Sequence, residues 1–120
     1  MRLSYFRICE KVSKFSDHRQ HKIGAIVVNN GKVLSTGFNK LKTHPLSPHP
    51  YKSCHAEFMA IKYLSPKDLK NATIYVLRKN RDGKFANAKP CVSCRKMIED
   101  SGIKKIIYTN DNSVEIEEIA

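Results

Sequence analysis

Apolar side chains recur every three or four positions in two stretches of the chain, which is the spacing of an amphipathic α-helix. The first stretch runs from Leu3 to Asp17, and the second from Cys54 to Leu64, where Ser65-Pro66 would stop a helix. A third helix is predicted from Cys91 to Asp100, because Pro90 suits the start of a helix and Gly102 suits the left-handed position that closes one. The sequence therefore predicts three helices.

Short apolar runs between these helices indicate β-strands. Ile23–Val28 and Lys32–Phe38 flank Asn29-Asn30-Gly31, whose residues tolerate positive φ, so the two runs are predicted to form a β-hairpin. The turn over Thr109–Asn112 is too short for a parallel crossover, so the strands on either side of it should be antiparallel. Three further runs are rich in β-branched and aromatic residues and are expected to be strands: Thr73–Leu77, Ile103–Tyr108 and Val114–Ile119.

The order of the elements is helix, two strands, helix, strand, helix, strand, strand. It predicts an α/β fold of three layers around one mixed sheet of about five strands, the last two antiparallel. The length of 120 residues suits one domain, so residues 1–120 are expected to form a single unit. Proline-rich Asn39–Ser53 is predicted to be a loop, and Arg78–Lys89 a polar turn region.

Two short motifs stand at the starts of the two internal helices. Cys91 and Cys94 are three positions apart and share a helical face, and His55 opens the preceding helix. If the two helix N-termini converge, the three side chains form a zinc site with a fourth position left for water, as in catalytic zinc. The positive end of the helix dipole is expected to lower the thiol pKa there.

Glu57 follows His55 by two positions and therefore should not share the direction of the ligand. A carboxylate placed in this way can take a proton from water, protonate a ring nitrogen and then protonate a departing amine. Glu57 is accordingly predicted to be the catalytic group of a hydrolytic deaminase. A purely structural zinc site would not require this acid.

His55-Ala56-Glu57 and Pro90-Cys91-Val92-Ser93-Cys94 together resemble the motifs of the cytidine and deoxycytidylate deaminase superfamily. The resemblance extends from about Gly24 to Tyr108. It implies a cytidine-deaminase-like fold, a Zn²⁺ cofactor and conversion of cytosine to uracil. It also implies that Asn39, in Gly37-Phe38-Asn39, binds the sugar and that the backbone around Ala56 holds the base.

The balance of 22 Lys and Arg against 11 Asp and Glu gives a net charge of +11, which attracts phosphate-bearing partners. A single-stranded nucleic acid, DNA or RNA, is the substrate predicted first, and a free pyrimidine nucleotide or nucleoside is the alternative. A lysine-rich surface that serves solubility would also explain the charge. Tyr51 is a candidate for stacking on a base. The candidates for phosphate contact are Lys40, Lys42, Lys52, Arg78, Arg81, Lys84 and Lys89.

Features of the sequence also leave other assignments open. The antiparallel ending resembles the free-nucleoside deaminases, although these usually carry cysteine where this chain has His55. The segment after Asn39 lacks the glycine-rich continuation usual in deoxycytidylate deaminases. Further alternatives are an adenine deaminase acting on RNA, a non-catalytic binding module stabilised by zinc, and a structural zinc closed by Cys9 and Cys54.

The N-terminal residues show no apolar signal segment, and the sequence contains no apolar run of membrane length. A cytoplasmic protein without a membrane partner is therefore expected, and the sequence indicates no particular oligomeric state. In a reducing compartment the four cysteines are expected to be free thiols or metal ligands, not disulfides.

Overall fold

A mixed β-sheet forms the middle layer of the protein. The computed structural model describes residues 3–16, 21–40, 55–80, 82, 84–111 and 113–119. Within these residues the elements are α1 (Leu3–Ser13), β1 (His21–Asn29), β2 (Lys32–Phe38), α2 (Ala56–Ile61), α3 (Pro66–Leu69), β3 (Thr73–Asn80), β4 (Phe85–Ala86), α4 (Val92–Ser101), β5 (Lys105–Thr109) and β6 (Val114–Glu118).

The strands lie in the order β2-β1-β3-β5-β6, and the short β4 also pairs with β3. β1 is antiparallel to both β2 and β3, β3 is parallel to β5, and β5 is antiparallel to β6. The parallel pair is connected through α4, as a parallel crossover requires. Because β1 pairs with β3 from Thr73 to Asn80, both β4 and β5 must lie along the other side of β3.

Alternate residues of the central strands pack against helices on opposite faces of the sheet. On one face, Val27, Val76 and Ile106 pack with residues of α2 and α4. On the other face, Ile26 and Leu77 pack with α1. The predicted three-layer α/β arrangement, the β1–β2 hairpin and the antiparallel ending are confirmed. No helix among the described residues is long and apolar enough to cross a membrane.

Helix α1 is shorter than the predicted Leu3–Asp17 and ends at Ser13. The amides of Phe15 and Ser16 donate to carbonyls three residues earlier, at 3.0 Å, so the chain tightens into turns after the helix. Phe15 therefore lies outside the amphipathic helix and is 72% exposed.

Ser65-Pro66 was predicted to stop a helix, and in the structure these residues also begin a further short helix, α3, which was not predicted. The Ser65 hydroxyl accepts a hydrogen bond from the Asp68 amide at 3.2 Å, and the Asp68 carboxylate accepts one from the Ser65 amide at 3.4 Å. This reciprocal cap explains why so short a helix forms. The preceding helix, α2, is confined to Ala56–Ile61 within the predicted Cys54–Leu64.

Within the part of the chain that the structure describes, the sheet has six strands instead of about five, because Phe85–Ala86 pairs with the end of β3. This two-residue strand lies inside Arg78–Lys89, which was predicted to be a turn region without a strand. It gives the segment before Cys91 a fixed place in the sheet.

Two glycines allow helices to approach the sheet closely. A Cβ at Gly37 of β2 would fall 2.5 Å from the amide nitrogen of Ala60 and would also clash with the Ala56 carbonyl, both in α2. A Cβ at Gly24 of β1 would fall 2.9 Å from the Ser13 amide nitrogen and would clash with the carbonyl of Cys9 in α1. The absence of a side chain therefore sets the distance of each helix from the sheet.

We expect Gly24→Ala and Gly37→Ala each to lower the free energy of unfolding by about 1–3 kcal/mol, because the new methyl group meets backbone that must shift. Urea titration measures the effect. The exposed Thr36→Ala variant, on the same strand as Gly37, should stay within about 0.5 kcal/mol of the parent. Unchanged stability of both glycine variants would contradict the close approach.

Candidate active site

The starts of α2 and α4 and the residue after β2 come together at one edge of the sheet. Gly37, next to the end of β2, touches the first turn of α2. Asn39 follows β2 and is held against the first part of β1, because its amide donates to the Ile23 carbonyl at 3.3 Å. The Asn39 side-chain oxygen accepts from the Ile23 amide at 2.9 Å, which fixes the direction of this side chain.

His55 and Cys91 are the N-cap residues of α2 and α4. Both have extended backbone, and neither side chain caps its own helix, so both side chains are available to turn toward each other. His55 Nδ1 lies 3.5 Å from Cys94 Sγ and 3.8 Å from Cys91 Sγ. The ligand atoms of the three residues all lie within 4.8 Å of one another. The predicted convergence of the two helix starts is therefore present.

These distances fit a tetrahedral zinc ion. Zn–S bonds of about 2.3 Å and a Zn–N bond of about 2.0 Å place nitrogen and sulfur ligands about 3.5 Å apart. The separations from the His55 nitrogen to the two sulfurs, 3.5 and 3.8 Å, are close to this value. One imidazole and two thiols are also a usual donor set for catalytic zinc. The three residues could therefore hold the ion.

Glu57 and Cys94 are buried side by side, with 4% and 0% of their surface exposed. Burial raises the pKa of the Glu57 carboxyl to about 7, although hydrogen bonds from its own amide and from Cys94 act in the opposite direction. Burial, followed by the negative charges of Glu57 and Cys91, raises the pKa of the Cys94 thiol. The lower thiol pKa expected at a helix N-terminus is thus outweighed by burial at Cys94. A thiolate at this position requires a compensating cation.

Cys9 cannot complete a structural zinc site with Cys91 and Cys94, because it belongs to α1 on the opposite face of the sheet. Its thiol is fully buried and donates to the Tyr75 carbonyl at 3.6 Å. Burial raises the Cys9 pKa to about 12, as expected for an inert core thiol. Cys54, the other residue considered for such a site, lies outside the described residues.

The predicted substrate-contact residues are only partly within the described chain. Asn39 is buried at the site edge, and Ala56 is fully buried in the first turn of α2, next to Glu57. Of the remaining candidates, the following lie outside the described residues: Lys42, Tyr51, Lys52 and Arg81.

The described basic candidates Lys40 and Arg78 make different local contacts. The Lys40 ammonium lies 5.2 Å from the centre of the Phe38 ring. Arg78 is paired with Ile23 of β1, and its guanidinium donates to the Asn87 carbonyl at 3.4 Å.

Lys84 and Lys89 are exposed. Lys89 also lines a groove of about 440 Å³ beside α4, and the other charged residues that line it are Arg95, Lys96, Glu99 and Asp100, so the groove is mixed in charge.

The family model described as the cytidine and deoxycytidylate deaminase zinc-binding region matches residues 2–110. The chain belongs to this family. It is therefore a zinc-dependent hydrolytic deaminase of the cytidine type with zinc as its cofactor, as the motifs predicted.

Relatives of this deaminase include phage enzymes of similar size. The chain is 27% identical to the deoxycytidylate deaminase of Mycobacterium phage D29, over 90% of this chain and 93% of the phage protein. It also matches deoxycytidylate deaminases of Pongo abelii, mouse and human at 28–29% identity, but spans only 53–57% of their length.

Solved structures show the same fold. The dCMP deaminase of cyanophage S-TIM5, in complex with dCMP and dUMP, matches with a TM-score of 0.67 and 28% identity, over 90% of this chain and 79% of the phage chain. A cytidine deaminase from Burkholderia pseudomallei matches with a TM-score of 0.71 over 99% of this chain and 93% of that chain. At 18% identity, this second likeness shows the fold alone.

Sequence reasoning missed two residues that support the site. Arg95 follows Cys94 directly, and its guanidinium pairs with Glu99 at 2.9 Å and with Glu117 of β6, which fastens α4 to the sheet edge. The spacing of Arg95 and Glu99 at i and i+4 is a visible helix signal, whereas the pairing with Glu117 is not. Thr109 was predicted to lie in a turn, but it ends β5 and is buried.

We expect the purified deaminase to contain about one zinc per chain. The variants Cys91→Ser and Cys94→Ser should each lose most of this zinc, because a hydroxyl is a poor substitute for a thiolate. Elemental analysis measures the zinc. Cys9→Ser is the matched control, since it changes a buried cysteine on the other face and should keep the metal. Full zinc content in both the Cys91 and Cys94 variants would contradict the site.

Proposed function

We propose that this chain deaminates the cytosine base of a free pyrimidine nucleotide, with deoxycytidylate as the favoured substrate. The support comes from relatives: the phage D29 protein, which matches over nearly its whole length, is named a deoxycytidylate deaminase, and the S-TIM5 enzyme was solved with dCMP and dUMP. This replaces the single-stranded nucleic acid that the charge favoured in the sequence and adopts the alternative substrate.

The observation that carries the proposed chemistry is a buried carboxyl group beside three converging metal ligands. In the proposal, His55, Cys91 and Cys94 hold zinc, and Glu57 is the catalytic residue. When bound in such a site, zinc lowers the pKa of a coordinated water to about 7 and so supplies a nucleophile at neutral pH. Glu57 is hydrogen-bonded to Cys94, which would place its carboxyl beside the bound zinc.

Glu57 would move two protons, each in two transfers. Its carboxylate takes a proton from the attacking water as the new C4–O bond forms, and passes that proton to N3 of the ring. It then takes the second proton of the water and delivers it to the amino group, so that the C4–N bond breaks and ammonia leaves. Cytosine and water thereby give uracil and ammonia, and Glu57 ends in its starting state.

The remaining contacts are proposed from their position at the site edge. Asn39 is buried there with its side chain oriented by Ile23, which suits a contact to the sugar, and the backbone around Ala56 would hold the base. Arg78 lies across β1 from Asn39, because both residues are bonded to or paired with Ile23 from opposite sides of that strand. We therefore favour Arg78 among the described candidates for the 5′-phosphate.

A second candidate function is deamination of cytosine in a single strand, which the net charge of +11 favours. Both functions use the same base chemistry and differ only in what is bound beyond the sugar. Salt dependence separates them, since a single-stranded polynucleotide releases about 0.7 counterions for every phosphate that the protein neutralises, whereas a free nucleotide has one phosphate.

We expect Glu57→Gln and Glu57→Ala to fold and keep zinc but to lose at least about 10²–10⁴ in kcat, the usual contribution of general acid–base catalysis. Turnover is followed by release of ammonia, and zinc by elemental analysis. Glu115→Gln, an exposed acid on β6, is the control and should keep full activity. A folded, zinc-loaded Glu57 variant with normal turnover would show that another group moves the protons.

We expect dCMP to be deaminated faster than deoxycytidine, CMP or a cytosine in a single-stranded oligonucleotide. Mass spectrometry of the product resolves the exchange of amine for oxygen in each substrate at low and high salt. Arg78→Gln should raise KM for dCMP about tenfold or more and leave KM for deoxycytidine nearly unchanged, because only the nucleotide carries the phosphate.

Two results would overturn this substrate assignment. Rapid, salt-sensitive deamination of oligonucleotides with weak activity on dCMP would favour the second candidate. Equal activity on deoxycytidine and dCMP would indicate that the phosphate is not recognised.

A further inference from the structure

Thr109 is one of the few buried polar side chains among the described residues, and the deamination chemistry does not use it directly. Its exposed fraction is 2%. It is the last residue of β5, where Tyr108 is still paired with Val76 of β3. Two residues further along β3, Arg78 is paired with Ala86 of β4 instead. Thr109 therefore lies at the seam where the partner of β3 changes from β5 to β4.

The Thr109 hydroxyl joins the strands across this seam. It accepts a hydrogen bond from the Arg78 amide at 3.2 Å and donates one to the Ala86 carbonyl at 2.9 Å. The backbone carbonyl of Thr109 also accepts from the Ala88 amide at 2.8 Å. One residue thus holds the chain at Ala86 and again at Ala88.

The segment held in this way leads directly to the metal ligands. Ala88 is buried in the core, and the Lys89 amide donates to the Asn87 side chain at 2.8 Å, which tightens the backbone before the buried Pro90. Cys91 follows as the N-cap of α4. Only Lys89 and Pro90 separate Ala88 from Cys91. A shift of Ala88 therefore also moves the N-terminus of α4.

We infer that Thr109 is a positioning residue for the metal site: its hydroxyl ties Ala86 to the end of β5, at the start of the segment that leads to Pro90, and thereby helps to hold Cys91 and Cys94 over His55. The inference rests on the proposed ligand set. It does not depend on which nucleotide is the substrate or on the role of Glu57.

Thr109→Val and Thr109→Ser separate the hydroxyl from the shape of the side chain. Valine keeps the volume and removes both hydrogen bonds of the hydroxyl, whereas serine keeps the hydroxyl and removes the methyl group. Zinc affinity is measured by competition with a chromophoric chelator at a temperature where circular dichroism shows each variant to be folded. We expect Thr109→Val to bind zinc roughly 10- to 100-fold more weakly, the range for groups that orient metal ligands, and Thr109→Ser to stay near the parent.

Ile107→Val is the matched control for a loss of stability without a loss of positioning. It removes a methylene from the same strand two residues earlier, in the core on the α1 face. It should lower the urea midpoint but leave zinc affinity unchanged. Cobalt substitution gives a second readout, because the visible absorption of Co²⁺ should change in Thr109→Val and not in Ile107→Val.

The inference is overturned if Thr109→Val binds zinc as tightly as Ile107→Val, or if Thr109→Ser loses zinc to the same extent as Thr109→Val. If Thr109→Val does not fold, Thr109→Ser and Thr109→Ala decide, because both lack the methyl group and only serine has the hydroxyl. Equal zinc affinity of these two would then overturn the inference. Failure of the ligand set itself is recognised separately, since Cys91→Ser would then keep its zinc.

Discussion

The active site depends on the burial of two acidic groups in contact with each other. Glu57 and Cys94 are almost fully removed from solvent, and burial raises the pKa of both. Their ionised forms are unfavourable at such a place unless a positive charge lies beside them. In this family zinc provides that charge, so the cofactor completes the electrostatics of the core at the same point where it supplies the nucleophile.

Two independent contacts bring the ligands to this point. The His55 side is set by β2, where Gly37 allows α2 to lie directly on the strand and the Ser35 hydroxyl donates to the Ala60 carbonyl. The cysteine side is set by β3, β4 and the end of β5, which define the path into α4. Neither helix is long. The attachment of both helices to the sheet therefore keeps the three ligand atoms at the distances that one zinc ion requires.

The local part of this arrangement could be predicted from the sequence. The spacing of Cys91 and Cys94 and the position of His55 at a helix start are short-range features, and they predicted the site that the fold forms. α3 was missed because a Ser-Pro pair can end one helix and can also begin the next. Ser65-Pro66 was interpreted only as the end of a helix, although Ser65 is the N-cap of α3.

β4 has only two residues and therefore shows no periodicity. The hydrogen bonds of the Thr109 hydroxyl connect it to residues 23 and 31 positions away along the chain. The residues next to Thr109 in the sequence therefore do not indicate these bonds.

Net charge favoured a polynucleotide substrate, whereas the names of the relatives support the free nucleotide of the proposed function. Some cations serve the fold: Lys79 pairs with Glu10 at 2.9 Å, and Lys22 donates to the Ser16 carbonyl at 2.8 Å. Several of the acids lie together on β6, so the field around the protein is uneven and its sum of +11 does not describe the site. One phosphate needs only a cation or two at the edge beyond Asn39, and excess charge elsewhere affects solubility and encounter rates. In the proposed function, the reaction and the substrate class are therefore set by different residues: the reaction by the metal ligands and Glu57, and the substrate class by groups outside the base pocket.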